Sequence, residues 1–198
     1  MQNGNLRNNK LRGIRLIAFV CVLTMFLQGC AIADIYLDQK NPNQPSRGAG
    51  AISAFTENEA AFSRCLSELG DLLEPEENTL YDLRPRDETR IVIQKHVPLF
   101  SLAESYADNT VLASFMQDRM FTVISLYNDV VYFNAPTAGV YKGIAFVPSG
   151  DPMDIRYFCE DMEFVPDGDG YMCRQEEEDH SFYYSWIKEN WYYFEVRI

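Results

Sequence analysis

Apolar positions recur at helical spacing between residues 56 and 73 and mark the clearest amphipathic segment of the chain. The residues that share this stripe are Phe62, Cys65, Leu66, Leu69, Leu72 and Leu73. Thr56 and Glu59 have the spacing of a capping box, so the helix is predicted to begin at Thr56 and to end before Pro75. An apolar stripe of this width is expected to pack against another element, most simply a sheet. The alternative is that it binds a partner protein.

From residue 120 onward, short runs of apolar residues are separated by turn residues, which is typical of β-strands. The predicted strands span residues 120–127, 130–134, 140–147, 155–165, 171–174, 182–188 and 191–197. Their short connections favour antiparallel pairing. The predicted fold is therefore α+β, an antiparallel β-meander of about seven strands with one packed N-terminal amphipathic helix. An open sheet and a closed or partly closed barrel are equally consistent with this pattern.

The segment that joins the helix to the meander gives mixed signals. Residues 74–88 are polar and contain two prolines, which predicts a loop. Residues 91–97 are rich in β-branched side chains and predict a further strand, ended by Pro98. Residues 99–106 are predicted to form a short helix, and residues 111–116 fit a helix or a strand equally well.

Eight aromatic residues lie between positions 182 and 194, around a predicted two-residue turn at Glu189-Asn190. Strand alternation places them on two faces. The face predicted to join the core holds Tyr183, Ser185, Ile187, Tyr192, Phe194 and Val196. The other face holds Phe182, Tyr184, Trp186, Trp191 and Tyr193. One hypothesis makes this second set an aromatic platform for a glycan or a protein partner. The binding candidates are Phe182, Tyr184, Trp186 and Tyr193. The alternative is that the hairpin is covered on both sides.

The chain begins with a basic segment followed by an apolar one. Residues 1–15 carry four basic residues and no acidic residue, and residues 16–27 are uncharged and almost all apolar. This order is typical of a signal peptide. The apolar run is shorter than the roughly 20 residues that a comfortable membrane span needs.

The end of this segment, Leu27-Gln28-Gly29-Cys30, resembles the lipobox of bacterial lipoprotein precursors. The resemblance implies that residues 1–29 are a signal peptide cut between Gly29 and Cys30, and that Cys30 carries acyl chains such as palmitate. Ala31 stands where an aspartate tends to hold such lipoproteins at the inner membrane. By the same resemblance, the protein is expected at the outer membrane, on its periplasmic face or at the cell surface. Retention at the inner membrane and an uncleaved anchor are the alternatives.

Cleavage before Cys30 divides the rest of the chain into a tether and a domain. Residues 30–55 are rich in Asn, Gln, Pro, Gly and Ser, and predict a flexible tether that begins at the lipidated cysteine. Residues 56–198 suffice for a single periplasmic α+β domain with its own core. The mature chain keeps 13 basic residues against 29 acidic ones, a formal net charge of −16. This charge argues against nucleic acid as a partner and favours a basic partner. The alternative is that the charge serves only to keep the protein soluble.

Cys159 and Cys173 are candidates for a disulfide, because they are close in sequence, flank a turn, and would lie in an oxidising compartment. Cys65, on the helical stripe, would then remain a buried thiol. Pairing of Cys65 with either of the other two stays open, because spacing does not determine connectivity.

The sequence contains no recognisable catalytic or metal-binding pattern. His96 and His180 have no partners at the spacing of a metal site or a catalytic triad. The Asp-Gly-Asp-Gly run at 167–170 is similar to the start of a calcium loop. Tyr171 and Met172, however, occupy the positions where that loop needs an oxygen ligand and a glycine, so a β-turn is predicted. No catalytic residue, cofactor or metal is therefore predicted.

These features predict a non-enzymatic outer-membrane lipoprotein that binds a protein partner as an accessory or assembly subunit of an envelope complex. The alternative is an inhibitor or immunity-type binder of a cationic cell-wall enzyme such as lysozyme. Residues 137–142, Thr-Ala-Gly-Val-Tyr-Lys, are similar to the Ser-Gly-x-x-Tyr loop of lysozyme-inhibitor lipoproteins, without its serine. An enzyme is the third hypothesis and would require a nucleophile, a base or a metal set.

Overall fold

A computed structural model describes residues 47–97, 101–118, 121–135, 140–175 and 179–198. The predicted signal peptide, with Gly29 and Cys30 at its cleavage site, lies outside the described residues, and so does the predicted tether up to residue 46. None of the described helices is both long and apolar enough to cross a membrane.

The described residues form three α-helices, one short 3₁₀ helix and ten strands. The helices are α1 (Ala49–Glu57), α2 (Glu59–Leu72) and α3 (Thr110–Asp118), and the 3₁₀ helix spans Pro152–Asp154. The strands are β1 (Leu80–Pro85), β2 (Arg90–Val97), β3 (Ser101–Asp108), β4 (Val123–Tyr127), β5 (Val130–Ala135), β6 (Val140–Phe146), β7 (Val165–Asp167), β8 (Gly170–Gln175), β9 (His180–Lys188) and β10 (Trp191–Arg197).

The ten strands form one antiparallel sheet in the order β3-β2-β1-β4-β5-β6-β10-β9-β8-β7. The chain builds β1, β2 and β3 outward to one edge, then returns through α3 and places β4 beside β1. After β6 it passes through residues 147–164, which we call the crossover segment, to the opposite edge, and β7 to β10 lead back to β6. Among the described residues the two edge strands, β3 and β7, do not pair with each other, so the sheet is open.

The predicted antiparallel α+β architecture is confirmed, but several details of the prediction are wrong. The sheet has ten strands rather than about seven, it is not closed, and it packs against three helices rather than one. β1 lies in the predicted loop because its buried pair, Tyr81 and Leu83, is too short an alternation to indicate a strand. β3 replaces a predicted helix because its eight residues pair with β2, and such tertiary pairing overrides local preference. The ambiguous residues 111–116 lie in α3.

The apolar stripe of α2 is confirmed and forms the centre of the core on one side of the sheet, which we call the helix face. Phe62 is fully buried there, among five other aromatic rings. The ring centroids around it belong to Phe55 at 5.0 Å, Phe115 at 4.9 Å, Phe121 at 5.4 Å, Phe133 at 4.8 Å and Trp191 at 5.9 Å.

The predicted capping box is wrong, because the helical region begins at Ala49 and not at Thr56. Thr56 lies inside α1, where its hydroxyl donates to the carbonyl oxygen of Ile52 at 2.8 Å. Asn58 separates the two helices without capping α2 through its side chain. Phe55 is buried in the core, so residues 49–55, which the composition assigned to the tether, belong to the folded domain.

The crossover segment packs against part of the opposite side of the sheet, which we call the second face. Residues 155–165 were predicted to be a strand. Most of them are irregular instead, because Ile155 and Phe158 are buried against the sheet three positions apart, which a strand does not allow. Two tyrosine hydroxyls hold this segment: Tyr132 accepts from the Arg156 amide at 2.7 Å, and Tyr192 donates to a crossover carbonyl at 2.6 Å.

The prediction of which β9 and β10 side chains share a face of the C-terminal hairpin is wrong. The turn at Glu189-Asn190 is confirmed, and Trp191 stands opposite Lys188. Tyr192 then stands opposite Trp186 because a β-bulge shifts the register by one residue. A shift of one residue moves every later side chain to the other face relative to its neighbour strand.

Candidate functional site

A solvent-open groove lies on the second face, where the sheet emerges from beneath the crossover segment. Its volume is ≈ 510 Å³, which is within the range of about 300–1,000 Å³ typical of small-molecule sites. Strands β1, β4, β5 and β6 contribute its floor, and the crossover segment contributes one wall. The residues that define it are Asp82, Arg84, Ser125, Tyr141, Arg156 and Tyr157.

Strand alternation places the polar residues of β1 in this groove. Tyr81 and Leu83 are buried on the helix face, so Asp82 and Arg84 lie on the second face. The register between β1 and β4 sets Asp82 directly opposite Ser125. Antiparallel sheets commonly have one packed and one solvated face, and this half of the second face is the solvated one.

Three side chains from neighbouring strands form a hydrogen-bonded chain along the groove floor. The buried hydroxyl of Ser125 donates to Asp82 Oδ1 at 2.6 Å. The side-chain amide of Asn134, on β5, donates to the same Ser125 oxygen at 2.8 Å. Since the hydroxyl both donates and accepts, the floor presents a fixed array of polar groups.

His96 contacts the outer side of this chain. Its Nε2 atom lies 3.1 Å from Asp82 Oδ2, which is an ion-pair distance when the imidazole is protonated. The ring N–H is not aligned on that oxygen as a hydrogen bond requires. The carboxylate of Asp82 therefore stands between His96 and the Ser125 hydroxyl, whereas a nucleophilic serine needs the imidazole next to it.

The wall of the groove is aromatic. The rings of Tyr141 and Tyr157 are stacked with centroids 5.2 Å apart, and Tyr141 is 48% exposed. The Arg156 guanidinium lies 5.4 Å from the Tyr157 ring centroid and 5.3 Å from that of Tyr127. Burial raises the pKa of Tyr157, so its phenol stays protonated at neutral pH.

The groove differs in charge from the rest of the molecule. Two basic side chains, Arg84 and Arg156, line it against a single acidic one, Asp82, although the whole chain has a formal net charge of −12. A concentration of positive charge on an acidic protein attracts anionic groups to that place.

The aromatic hairpin does not form the predicted platform. Phe182 and Tyr193 are buried on opposite faces of the sheet, and Tyr184 is half-buried. Trp186 is 64% exposed, and its indole N–H donates to the Glu189 carbonyl oxygen at 3.0 Å. The four binding candidates therefore share no common surface.

The predicted disulfide is not present in the structure, where Cys159 and Cys173 are free thiols. Cys159 is exposed in the crossover segment, and its hydrogen bond with Asp161 raises the pKa of its thiol. Cys173 is buried on β8 among the side chains of the second face. Cys65 is buried in α2, as the stripe predicts.

The turn at residues 167–170 joins β7 to β8, as predicted. One of its carboxylates, Asp169 Oδ1, accepts a hydrogen bond from the Tyr183 hydroxyl at 2.8 Å. Within the described ranges, no group of three or more His, Cys, Asp or Glu side chains is arranged to hold a metal ion.

Comparison of the chain with protein-family models, with curated proteins and with solved structures finds no match.

Proposed function

We propose that this protein is a lipid-anchored, non-enzymatic binding or accessory subunit of a bacterial envelope complex, and that the groove is its binding site. The anchor would be the lipid on Cys30, at the outer membrane. The resemblance of residues 27–30 to a lipobox supports the anchor. The groove is the observation that carries the binding role.

Two features of the groove suit binding. Its polar floor is held in one geometry by hydrogen bonds between Asp82, Ser125 and Asn134, so little order would be lost when a ligand binds. Its wall presents Tyr141, half exposed and fixed by stacking on Tyr157. Exposed aromatic side chains on a rigid support are common anchors of binding sites.

The same floor supports a role without catalysis. The Ser125 hydroxyl is buried and donates its proton to a carboxylate rather than to an imidazole. His96 lies beyond Asp82 and does not contact the hydroxyl as a general base would.

Arg47 and the groove lie on opposite sides of the sheet. Arg47, the first described residue, has its guanidinium 4.8 Å from the ring centroid of Tyr183, on the helix face, and 3.8 Å from Glu195 Oε2. The groove opens on the second face.

One observation favours the alternative of an inhibitor of a cationic cell-wall enzyme. Tyr141, the tyrosine of the segment similar to the lysozyme-inhibitor loop, lies in the groove, although residues 136–139 lie outside the described ranges. Arg84 and Arg156 beside it would repel a basic enzyme, so we rank this function second.

The anchor is tested by metabolic labelling with a fatty acid in the source organism, followed by separation of its membranes. The native chain should incorporate label and sediment with the outer membrane. Cys30→Ala should lose both the label and the membrane association, because no other acylation site is proposed. Label that persists in Cys30→Ala would refute the anchor.

The groove is tested by capture of partners from the same envelope with the full chain as bait. Tyr141→Ala should lose a partner that the native chain and Trp186→Ala both retain, since both tyrosine and tryptophan are exposed but only Tyr141 lines the groove. Loss with Trp186→Ala and retention with Tyr141→Ala would move the binding site to the hairpin.

A further inference from the structure

We propose that the groove binds an acidic saccharide, with a carboxylate of the sugar against Arg84 and Arg156, a sugar ring against Tyr141, and hydroxyl groups on the floor. This inference rests on the proposed function, because it names the ligand of the same groove. It follows from four observations: two arginines available for an anion, a floor that suits hydroxyls, an aromatic wall, and the charge of the whole molecule.

The two arginines are available to a ligand. Within the described residues, neither Arg84 nor Arg156 forms an ion pair, whereas Arg47, Arg90 and Arg197 all do. Arg156 is exposed, and its guanidinium lies close to the rings of two tyrosines. A guanidinium presents a planar fork of donors that matches a carboxylate, and stacking on aromatic rings reduces the freedom it loses on binding.

The floor favours a ligand with hydroxyl groups over one that is densely anionic. Asp82 contributes a negative charge two positions from Arg84 in β1, on a carboxylate that accepts a hydrogen bond from Ser125. A polyphosphate placed here would be repelled by that carboxylate. A sugar hydroxyl can instead donate to a carboxylate and accept from an amide such as Asn134.

The aromatic wall suits a ring that is apolar on its faces and polar at its edges. Tyr141 offers a ring that is 48% exposed, and Tyr157 supports it from behind at a centroid distance of 5.2 Å. Tyrosine combines an apolar face with a polar tip, so it can pack against such a ring without losing its own hydrogen bond to water.

The charge of the molecule favours a compact ligand over an acidic protein. The surface beyond the groove belongs to a chain of net charge −12, and would repel a large acidic partner over a distance of about 8 Å, the Debye length at physiological salt. A saccharide of one or two rings, with one carboxylate on each ring, would remain inside the groove, where the basic residues lie.

Isothermal titration of the full chain, purified in detergent, tests this proposal with three probes. These are digalacturonic acid, its neutral methyl ester, and tetraglutamate. We expect digalacturonic acid to bind at least tenfold more tightly than its ester, since the ester keeps the rings and removes the charge. We expect tetraglutamate to bind more weakly than the acid, because it lacks hydroxyls and carries several charges.

Matched variants locate the binding. Arg156→Gln should weaken the binding of digalacturonic acid about tenfold or more and leave the ester unchanged, as expected for loss of one charged hydrogen-bonding partner. Arg64→Gln removes an exposed arginine from α2 on the helix face. It should leave the binding of both the acid and the ester unchanged. Tyr141→Ala should weaken the binding of both the acid and the ester. Tyr141→Phe should retain most of that binding because it keeps the ring.

The proposal is overturned if the acid and the ester bind equally, if none of the probes binds at about 1 mM, or if tetraglutamate binds more tightly than the acid. The last result would identify an acidic peptide as the ligand. A partner captured from the envelope that depends on Tyr141, together with no binding of digalacturonic acid, would leave the proposed function standing and refute only the saccharide. If no captured partner depends on Tyr141 and digalacturonic acid does not bind either, the groove is not a binding site.

Discussion

At the scale of single residues, Ser125 shows how the groove is built. Its hydroxyl is buried between Asp82 on β1 and Asn134 on β5, and it makes a hydrogen bond with each. Asp82 and Ser125 are 43 positions apart in the chain, and only the pairing of β1 with β4 brings them together. No local pattern singles out these three residues, so the sequence alone gives no indication of the site.

Gly143, on β6 beside the groove, leaves no room for a side chain. A Cβ atom there would lie 1.9 Å from the carbonyl oxygen of Phe133 on the neighbouring strand. We expect Gly143→Ala to lower the free energy of unfolding by roughly 3 kcal/mol or more, because the backbone must move to accept it. The measurement is urea unfolding followed by circular dichroism.

Gly70 provides the matched control for that substitution. It lies within α2, and a Cβ there would meet nothing within 4 Å. Gly70→Ala should therefore raise the free energy of unfolding by about 0.5–1 kcal/mol, the usual gain in an exposed helix. Equal effects of the two alanines would contradict the close approach of β5 and β6.

Three tyrosines predict how stability changes at high pH. Burial raises the pKa of Tyr132, Tyr183 and Tyr193 well above the ordinary value of about 10. In the unfolded chain these phenols lose their protons near pH 10, while the folded protein still holds them. The unfolded state then binds fewer protons, so the free energy of unfolding should fall as the pH rises above about 10, and be unaffected by these groups well below it.

Urea unfolding across this pH range, with absorbance of tyrosinate as a second signal, checks the prediction. The folded protein should show fewer ionised tyrosines than the unfolded chain at the same pH. A free energy of unfolding that stays constant from pH 8 to pH 11, a range that includes the ordinary tyrosine pKa of about 10, would show that these phenols are accessible to water.

At the scale of elements, local periodicity was sufficient to predict one helix and one turn, but not the faces of the C-terminal hairpin or strand β3. The α2 stripe and the turn at Glu189-Asn190 could be predicted because each depends on residues close in sequence. The faces of β9 and β10 could not be predicted, because one bulge residue shifts the register by one position. The alternation of residue types along the strands does not indicate that bulge. β3 could not be predicted either, because its state depends on pairing with β2.

The bulge predicts different environments for the two tryptophans of the chain. Trp186 is 64% exposed, and Trp191 is 6% exposed among the rings around Phe62. Iodide should therefore quench the fluorescence of Trp186, and Trp186→Phe should leave an emission that is shifted to shorter wavelength and resists quenching. The hairpin without the bulge would place both tryptophans on one face, so strong quenching of the Trp186→Phe variant would contradict the observed register.

At the scale of the whole molecule, the sequence could predict the class of the fold but not its surface. Strand patterns and short turns are sufficient for an antiparallel α+β domain. The order of ten strands, the path of the crossover segment and the groove beside it all depend on contacts between distant residues. The net charge could likewise be counted, but only the fold brings Arg84 and Arg156 to one groove.

Photo-crosslinking in living cells of the source organism tests whether the groove is the binding site of an anchored envelope protein. The full chain, with Cys30 intact, would carry a photo-reactive benzoylphenylalanine at position 141 in the groove. A second version would carry it at position 186, an aromatic and exposed position outside the groove. We expect a membrane-associated adduct of defined mass from position 141 and none from position 186. An adduct from position 186 alone, or none from either position, would contradict this expectation.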